Sequence, residues 1–254
     1  MRVVRAGSHD AWATYVAEAI VARLQVNPAL RLCLPTGATP VPIYERVARA
    51  VAAGRVSFKR AEVFLLDEFG GVHQDDPGRC DRMLQRTLLD QVDLPPERFV
   101  RFEVADRIDE ECEAFERRIG RGCDLTLLGL GTNGHIGMNE PGAAADSLTR
   151  RVGLAPETTA ATARYFDHDR LPVWGVTQGV ATILRSSEVW LLAAGTNKAE
   201  IVRRVVHDPV SSAIPATLLR AHPAAMLIVD AEAAARLEIS QASSSAPEPR
   251  REAT

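Results

Sequence analysis

The sequence predicts a single-domain, Rossmann-like α/β fold: a mostly parallel sheet with helices on both faces. Three observations carry that expectation. Short apolar runs alternate with stretches of helical spacing along most of the chain. The runs, among them "LRLCL", "EVFLL" and "AAMLIVD", show no clear period of two, as expected of strands covered on both sides. The residues directly after several runs are rich in Gly, Thr, Asp and Asn, and in open parallel sheets ligands bind beyond the carboxyl ends of the strands.

The elements follow in order. "RVVRAG" is a short strand, and Ser8 caps a helix whose Trp12, Val16, Ile20 and Leu24 share one face. "LRLCL" (30–34) is the second strand, "PTGATP" its exit turn, and "VPIYERVARAV" a helix with Pro40 near its first turn, where proline is tolerated. "EVFLL" (62–66) is the third strand, followed by the long loop "DEFGGVHQDDPG" and a helical stretch at 79–91. "RFVRFE" is a further strand, 108–120 an acidic-to-basic helix, and "DLTLLGL" a Leu-rich strand. "VWGVT", "EVWLLAAG" and "AAMLIVD" are strands, each followed by a helical stretch. No repeat or linker divides the chain, so residues 1–240 form one expected domain. The Ser-, Pro- and charge-rich end, 241–254, is an expected disordered tail.

Composition narrows the function. The 254 residues are 46% hydrophobic and 25% charged, with a net charge of −3. That suits one large core and argues against nucleic acid as a partner, since no basic excess is present. No run of about 18 apolar residues marks a membrane span. "MRVVRAGSHDAW" has no apolar signal region, so a cytoplasmic location is expected. Cys33, Cys80, Cys112 and Cys123 have neither CxxC spacing nor His partners at zinc spacing, and are expected to be free thiols.

Four post-strand loops hold most of the chemistry. In "LPTGATP", Thr36, Gly37, Ala38 and Thr39 lie between a strand and a helix, where backbone N–H groups and two hydroxyls can hold an anion. The same residues also suit a plain turn. The loop has neither the Gly-Lys-Ser/Thr ending of a phosphate-binding P-loop nor a GxGxxG fingerprint. In "LLDEF", Asp67 and Glu68 are adjacent, so on extended backbone only one of them can face a given cleft. Acidic residues where a strand reaches water are common, so this pair alone decides nothing. "GTNGHIGMNE" is more specific. Gly131, Gly134 and Gly137 permit tight turns beside His135, while Asn133 and Glu140 stand close enough in sequence to fix its tautomer. Arg164 in "ATARYF" and Lys198 in "AAGTNK" are ordinary surface charges if taken singly. Together with the Thr-Gly loop they could hold a phosphate.

These motifs have a family likeness. "LPTGATP", "LLDEF", "LGLGTNGHIGMNEPG", "ARYF" and "GTNK", in this order and spacing, resemble the glucosamine-6-phosphate deaminase family from about residue 2 to about residue 238. The related 6-phosphogluconolactonases share the fold and the early phosphate loop. They usually carry Asp-Glu-Arg at the strand end and lack the Asn-Glu-Pro, so this chain falls on the deaminase side. The resemblance implies conversion of glucosamine 6-phosphate to fructose 6-phosphate and ammonia, without metal or organic cofactor. It implies that Asp67 is the general base between sugar carbons 2 and 1, with Glu68 as its neighbour. His135 becomes the ring-opening acid–base group, Asn133 and Glu140 its supports, and the 36–39 loop, Arg164 and Lys198 the phosphate contacts. The implied partner is a small amino-sugar phosphate rather than nucleic acid or membrane, and a homo-oligomer is compatible.

Three positions depart from the family pattern: Asn133, where some members have Asp; Phe69, where Tyr often follows Asp-Glu; and "PGRCDRML" (77–84), in place of a Pro-x-Ser-Tyr stretch. Two further differences bear on regulation. Some members are hexamers activated by N-acetylglucosamine 6-phosphate through a Ser, an Arg and a Lys. The matching positions here are Ala143, Arg150 and Val152, with Arg151 as the neighbouring cation. Hyperbolic kinetics without activation are therefore expected. The competing readings are a phosphosugar lactone hydrolase on the same scaffold and a non-catalytic phosphosugar-binding homologue.

Overall fold

The computed structural model describes residues 1–104 and 107–237; the tail expected at 241–254 lies outside them. The chain runs β1 (Arg2–Arg5), α1 (His9–Val26), β2 (Arg31–Leu34), α2 (Val41–Ala52), β3 (Glu62–Leu65) and β4 (Asp67–Phe69). It continues through α3 (Cys80–Thr87), β5 (Phe99–Val100), α4 (Ile108–Ile119), β6 (Leu125–Gly129), β7 (Arg150–Gly153) and α5 (Pro156–Thr162). β8 (Trp174–Thr177), α6 (Val180–Leu184), β9 (Glu188–Ala193), α7 (Ala199–His207) and β10 (Ala225–Val229) complete it.

Seven strands form one parallel sheet in the order β1-β10-β9-β6-β2-β3-β5. The predicted parallel architecture is thus present. The apolar runs pair as central strands because burial on both faces favours uninterrupted Leu, Val and Ile. Trp12, Trp190, Phe64 and Leu127 are fully buried around this sheet. Ser8 caps α1 as its sequence context requires, its hydroxyl accepting from the Ala11 amide at 3.1 Å. Trp12 on the buried face of α1 ties that helix to the sheet, its indole N–H donating to the Ile228 carbonyl at 3.0 Å.

Three details differ from the sequence reading. "DEF" is not loop but the three-residue β4, and "VWGVT" supplies β8 to a second, antiparallel sheet ordered β4-β8-β7. β7, "RRVG", is a strand that the apolar pattern does not announce. After β10 the described residues form turns rather than a helix.

The strand order locates a crevice. From β2 the chain steps outward through β3 to β5; from β6 it steps the other way through β9 to β10. Right-handed crossovers in opposite directions put their helices on opposite faces, and the sheet opens where the direction reverses. That switch point lies between β2 and β6, paired at Leu32 with Leu125 and Cys33 with Thr126. The loops leaving their carboxyl ends are the Thr-Gly loop and the His135 loop.

Candidate active site

A cleft of about 350 Å³ opens at this switch point. The loops after β2, β3, β6 and β9 all reach it, and the segment after α5 supplies a further wall. Asp67, His135, Thr36, Gly37, Ala38, Thr39, Arg164 and Lys198 line this one space. Asn133 and Glu140 stand behind His135, and Glu68 faces elsewhere.

Asp67 begins β4 at the point where the chain leaves the main sheet. The Leu66 amide still donates to the Leu34 carbonyl at 3.3 Å, and Asp67 then pairs with Thr177 in the second sheet. Its side chain lines the cleft although the residue is only 8% exposed. Burial pushes its carboxyl up from 3.8 to about 6, opposed by the charge of His135 and a contact from Cys80. Such a carboxylate is ionised near neutrality yet basic enough to accept a proton.

Glu68, one residue on, points into the protein, as alternation along a strand requires. It is fully buried, and its oxygens accept from the amides of Phe69 (2.7 Å), Cys80 (2.8 Å) and Asp81 (2.9 Å). Two of those amides are in the first turn of α3, whose own N-cap residue, Arg79, makes no side-chain cap bond. Glu68 therefore caps α3 from β4 and fixes the strand that carries Asp67. The buried Arg79 guanidinium lies 3.4 Å from the same carboxylate.

The His135 loop is a tight fold in which Gly131 N–H donates to the His135 carbonyl at 3.0 Å. A Cβ on Gly131 would stand 2.4 Å from the imidazole, so only glycine leaves the ring room. Asn133 braces the loop twice: its Oδ1 accepts from the His135 amide at 3.1 Å, and its Nδ2 donates to Glu140 Oε2 at 2.9 Å. Glu140 Oε2 lies 3.6 Å from His135 Nδ1, an ion-pair separation longer than a hydrogen bond. The buried Nδ1 has no hydrogen-bond partner at this distance. Burial opposes the charge on Glu140, but interaction with His135, Thr158 and Asn133 outweighs it and holds the carboxyl at about 2. A permanent anion thus sits against one ring nitrogen, leaving the other edge of the ring to serve the cleft.

Two cations line the same cleft. Lys198 Nζ donates to the Leu130 carbonyl at 2.7 Å, which fixes it at the end of β6. Burial, and then the charge of Arg164, pull the ammonium down, so Lys198 is short of solvent and feels the more exposed Arg164 nearby. Gly37 adopts φ +90, and the Thr36–Thr39 loop faces the same space. An anion with several oxygens would relieve this concentration of positive charge.

Sequence reasoning missed Tyr165 and Thr158 as lining residues, whereas Phe69 and, within the singled-out 77–84 stretch, Cys80 and Met83 also line the cleft. Tyr165 carried a signal, its adjacency to Arg164. Thr158 carried none, because α5 has no strong apolar face. Among the described residues no cluster of metal-ligating side chains occurs, no helix is long and apolar enough to cross a membrane, and all four cysteines are buried and free.

The likeness to known proteins is extensive. Residues 5–228 match the family model of glucosamine-6-phosphate isomerases/6-phosphogluconolactonase. A glucosamine-6-phosphate deaminase of Hahella chejuensis is 40% identical over 243 residues, 94% of this chain and 93% of its own length. One of Rhodopirellula baltica is 41% identical over 234 residues, covering 91% and 93%. Among solved structures, a monomeric glucosamine-6-phosphate deaminase superposes with a TM-score of 0.90 at 32% identity, covering 93% of this chain and 100% of that one. A 6-phosphogluconolactonase from Trypanosoma brucei superposes with a TM-score of 0.72 at 20% identity, covering 93% and 98%, a likeness of fold alone.

Proposed function

The chain belongs to the family of glucosamine-6-phosphate isomerases and 6-phosphogluconolactonases, and on that premise we propose that it is a glucosamine-6-phosphate deaminase. It converts glucosamine 6-phosphate, or a close amino-sugar phosphate, to fructose 6-phosphate and ammonia. The observation that carries this reading is the placement, in one cleft, of a buried carboxylate raised to about 6, an imidazole backed by a permanent anion, and two cations. A lactonase has no need of a base matched to a carbon-bound proton; an isomerase does.

In this reading the phosphate sits on the Thr36–Thr39 loop between Arg164 and Lys198. His135, oriented by Glu140 and Asn133, passes a proton to the ring oxygen and opens the sugar. Asp67 takes the proton from carbon 2 and returns it to carbon 1. Water then attacks the imine left at carbon 2, forming the ketone and releasing ammonia. The net change consumes one water, so the isomerisation is also a hydrolytic deamination. Every side chain named comes from one chain, so the site does not require the homo-oligomer that the resemblance allows. A cytoplasmic location is part of the same reading.

The test is an ammonia-release screen over amino-hexose 6-phosphates, run beside 6-phosphogluconolactone hydrolysis. Ammonia from glucosamine 6-phosphate or an epimer supports the reading. Lactone hydrolysis without ammonia release, or tight phosphosugar binding without any turnover, overturns it.

A further inference from the structure

Tyr165 stands at the phosphate end of the cleft with no task in the mechanism above. It closes the short helical turn Ala163–Tyr165 that follows α5, directly after Arg164. Its ring is partly buried and lines the cleft. The hydroxyl lies over the Thr-Gly loop: a Cβ on Gly37 would meet Tyr165 Oη at 2.8 Å and Cζ at 3.8 Å. Gly37 is thus glycine for two reasons, its φ of +90 and the phenol above it.

The polar end of this ring is unused. Tyr44, beneath the same loop, donates its hydroxyl to the Pro35 carbonyl at 2.7 Å, the usual fate of a phenol turned into a protein. Tyr165 Oη has no hydrogen-bond partner among the described residues. The ring is held nonetheless, because the Arg164 guanidinium carbon stands 4.8 Å from its centroid in a cation–π contact. An O–H donor is therefore held over the loop and beside Arg164, with no acceptor for its proton among the described residues.

We propose that Tyr165 is a substrate-binding residue whose hydroxyl donates a hydrogen bond to a phosphate oxygen seated on the Thr36–Thr39 loop, with Arg164 positioning the ring. The inference rests on the reading that this end of the cleft takes the phosphate, and adds a donor that neither the motif nor the charges revealed. The simpler alternative is that the ring only fills space, in which case phenylalanine would serve equally.

Tyr165→Phe separates the two, since it keeps the ring, the clearance over Gly37 and the Arg164 contact. Binding is measured by calorimetry with fructose 6-phosphate in ammonia-free buffer, with fructose and with inorganic phosphate; steady-state kinetics and a thermal melt accompany it. Loss of one hydrogen bond to a charged group is expected to weaken fructose 6-phosphate and inorganic phosphate by about tenfold or more. KM should rise in parallel, with kcat and the melt little changed and fructose unaffected. Affinities within about twofold of wild type, or equal losses for fructose and its phosphate, would overturn the proposal. The binding arm needs no turnover. A wild type that releases no ammonia but binds fructose 6-phosphate through Tyr165 sinks the deaminase reading and keeps this one. A wild type that releases ammonia while Tyr165→Phe binds normally does the reverse. A wild type with no preference for the phosphorylated sugar sinks the phosphate site and this proposal with it.

Discussion

Replacing Asp67 with Asn keeps the side chain's size and removes its charge, and the expected result is a more stable protein that no longer turns over. Burial raises the Asp67 carboxyl from 3.8 to about 6, against the opposing pull of His135 and Cys80. Each tenfold change in acidity is worth about 1.4 kcal/mol, so holding the ionised form costs the native state about 3 kcal/mol. The sign follows from linkage. The unfolded chain gives up its proton near 3.8 and the native state only near 6, so the native state binds more protons between those values. Stability contributed by this group is therefore complete below the unfolded value and lost as pH rises through about 6. Asparagine carries no such penalty. The variant should gain about 3 kcal/mol over wild type near pH 7.5 and only about 1.5 kcal/mol near pH 5. Urea unfolding at both pH values, with unchanged slopes, reads the gain. Ammonia release should fall by about 10² to 10⁴, the usual contribution of a general base. The wild-type kcat/KM should decline on the acid side with a midpoint near 6, set by ionisation of the free enzyme's Asp67. A variant that is no more stable at the higher pH would refute the burial argument, and one that retains near-wild-type turnover would refute the assignment of the base.

Lys198→Ala and Arg164→Ala should each weaken phosphorylated sugars by about 1.5 to 3 kcal/mol and leave unphosphorylated ones unchanged, a difference that competitive inhibition constants will show. Gly131→Ala puts a methyl 2.4 Å from the His135 ring, so the imidazole must turn away; kcat should drop about tenfold or more while the urea midpoint, set by the distant core, moves little. Substrate saturation should be hyperbolic and insensitive to N-acetylglucosamine 6-phosphate. Arg150 Nη1 is committed to Asn139 Oδ1 at 3.0 Å and the Leu148 carbonyl at 3.3 Å, and Arg151 stacks on Trp174 at 4.1 Å. Ala143 offers no hydroxyl and Val152 no charge, so a sigmoidal curve that the acetylated sugar phosphate straightens would contradict this account.

What could be read from the chain depended on how local its cause was. The central strands announce themselves because burial on both faces demands mostly apolar side chains, as in Ala225–Val229 and in Leu125–Leu128, where the one polar residue, Thr126, pairs its hydroxyl with that of Ser186. Ser8 is legible because a cap acts within one turn of the residue it serves. β4 and β7 are not. Three residues of "DEF" and four of "RRVG" become strands only because β8 lies between them, and that pairing joins segments far apart in sequence. "RFVRFE" shows the converse, an apolar run of which only Phe99 and Val100 find a partner strand. In the site, the motif residues could be listed from spacing. Alternation says that only one of Asp67 and Glu68 can face the cleft, but not what the other caps; that contact of Glu68 with α3, and the position of Tyr165 over Gly37, could not be read, since each joins separate segments.

The second sheet explains how one cleft combines two cations with a buried carboxylate of raised pKa. The switch point between β2 and β6 supplies loops with free amides, and Lys198 is pinned there by the Leu130 carbonyl. A base placed on those same loops would lie beside the cations, and their charge would hold its carboxyl low. Asp67 instead enters on β4, one residue after the main sheet ends, and that short strand is clamped from two sides: by β8 along its edge and by Glu68 capping α3 beneath it. The clamp keeps Asp67 buried, and burial raises its carboxyl to about 6. Two adjacent carboxylates thus divide the labour. Glu68 holds the strand in place, and Asp67, fixed by it, faces the cleft.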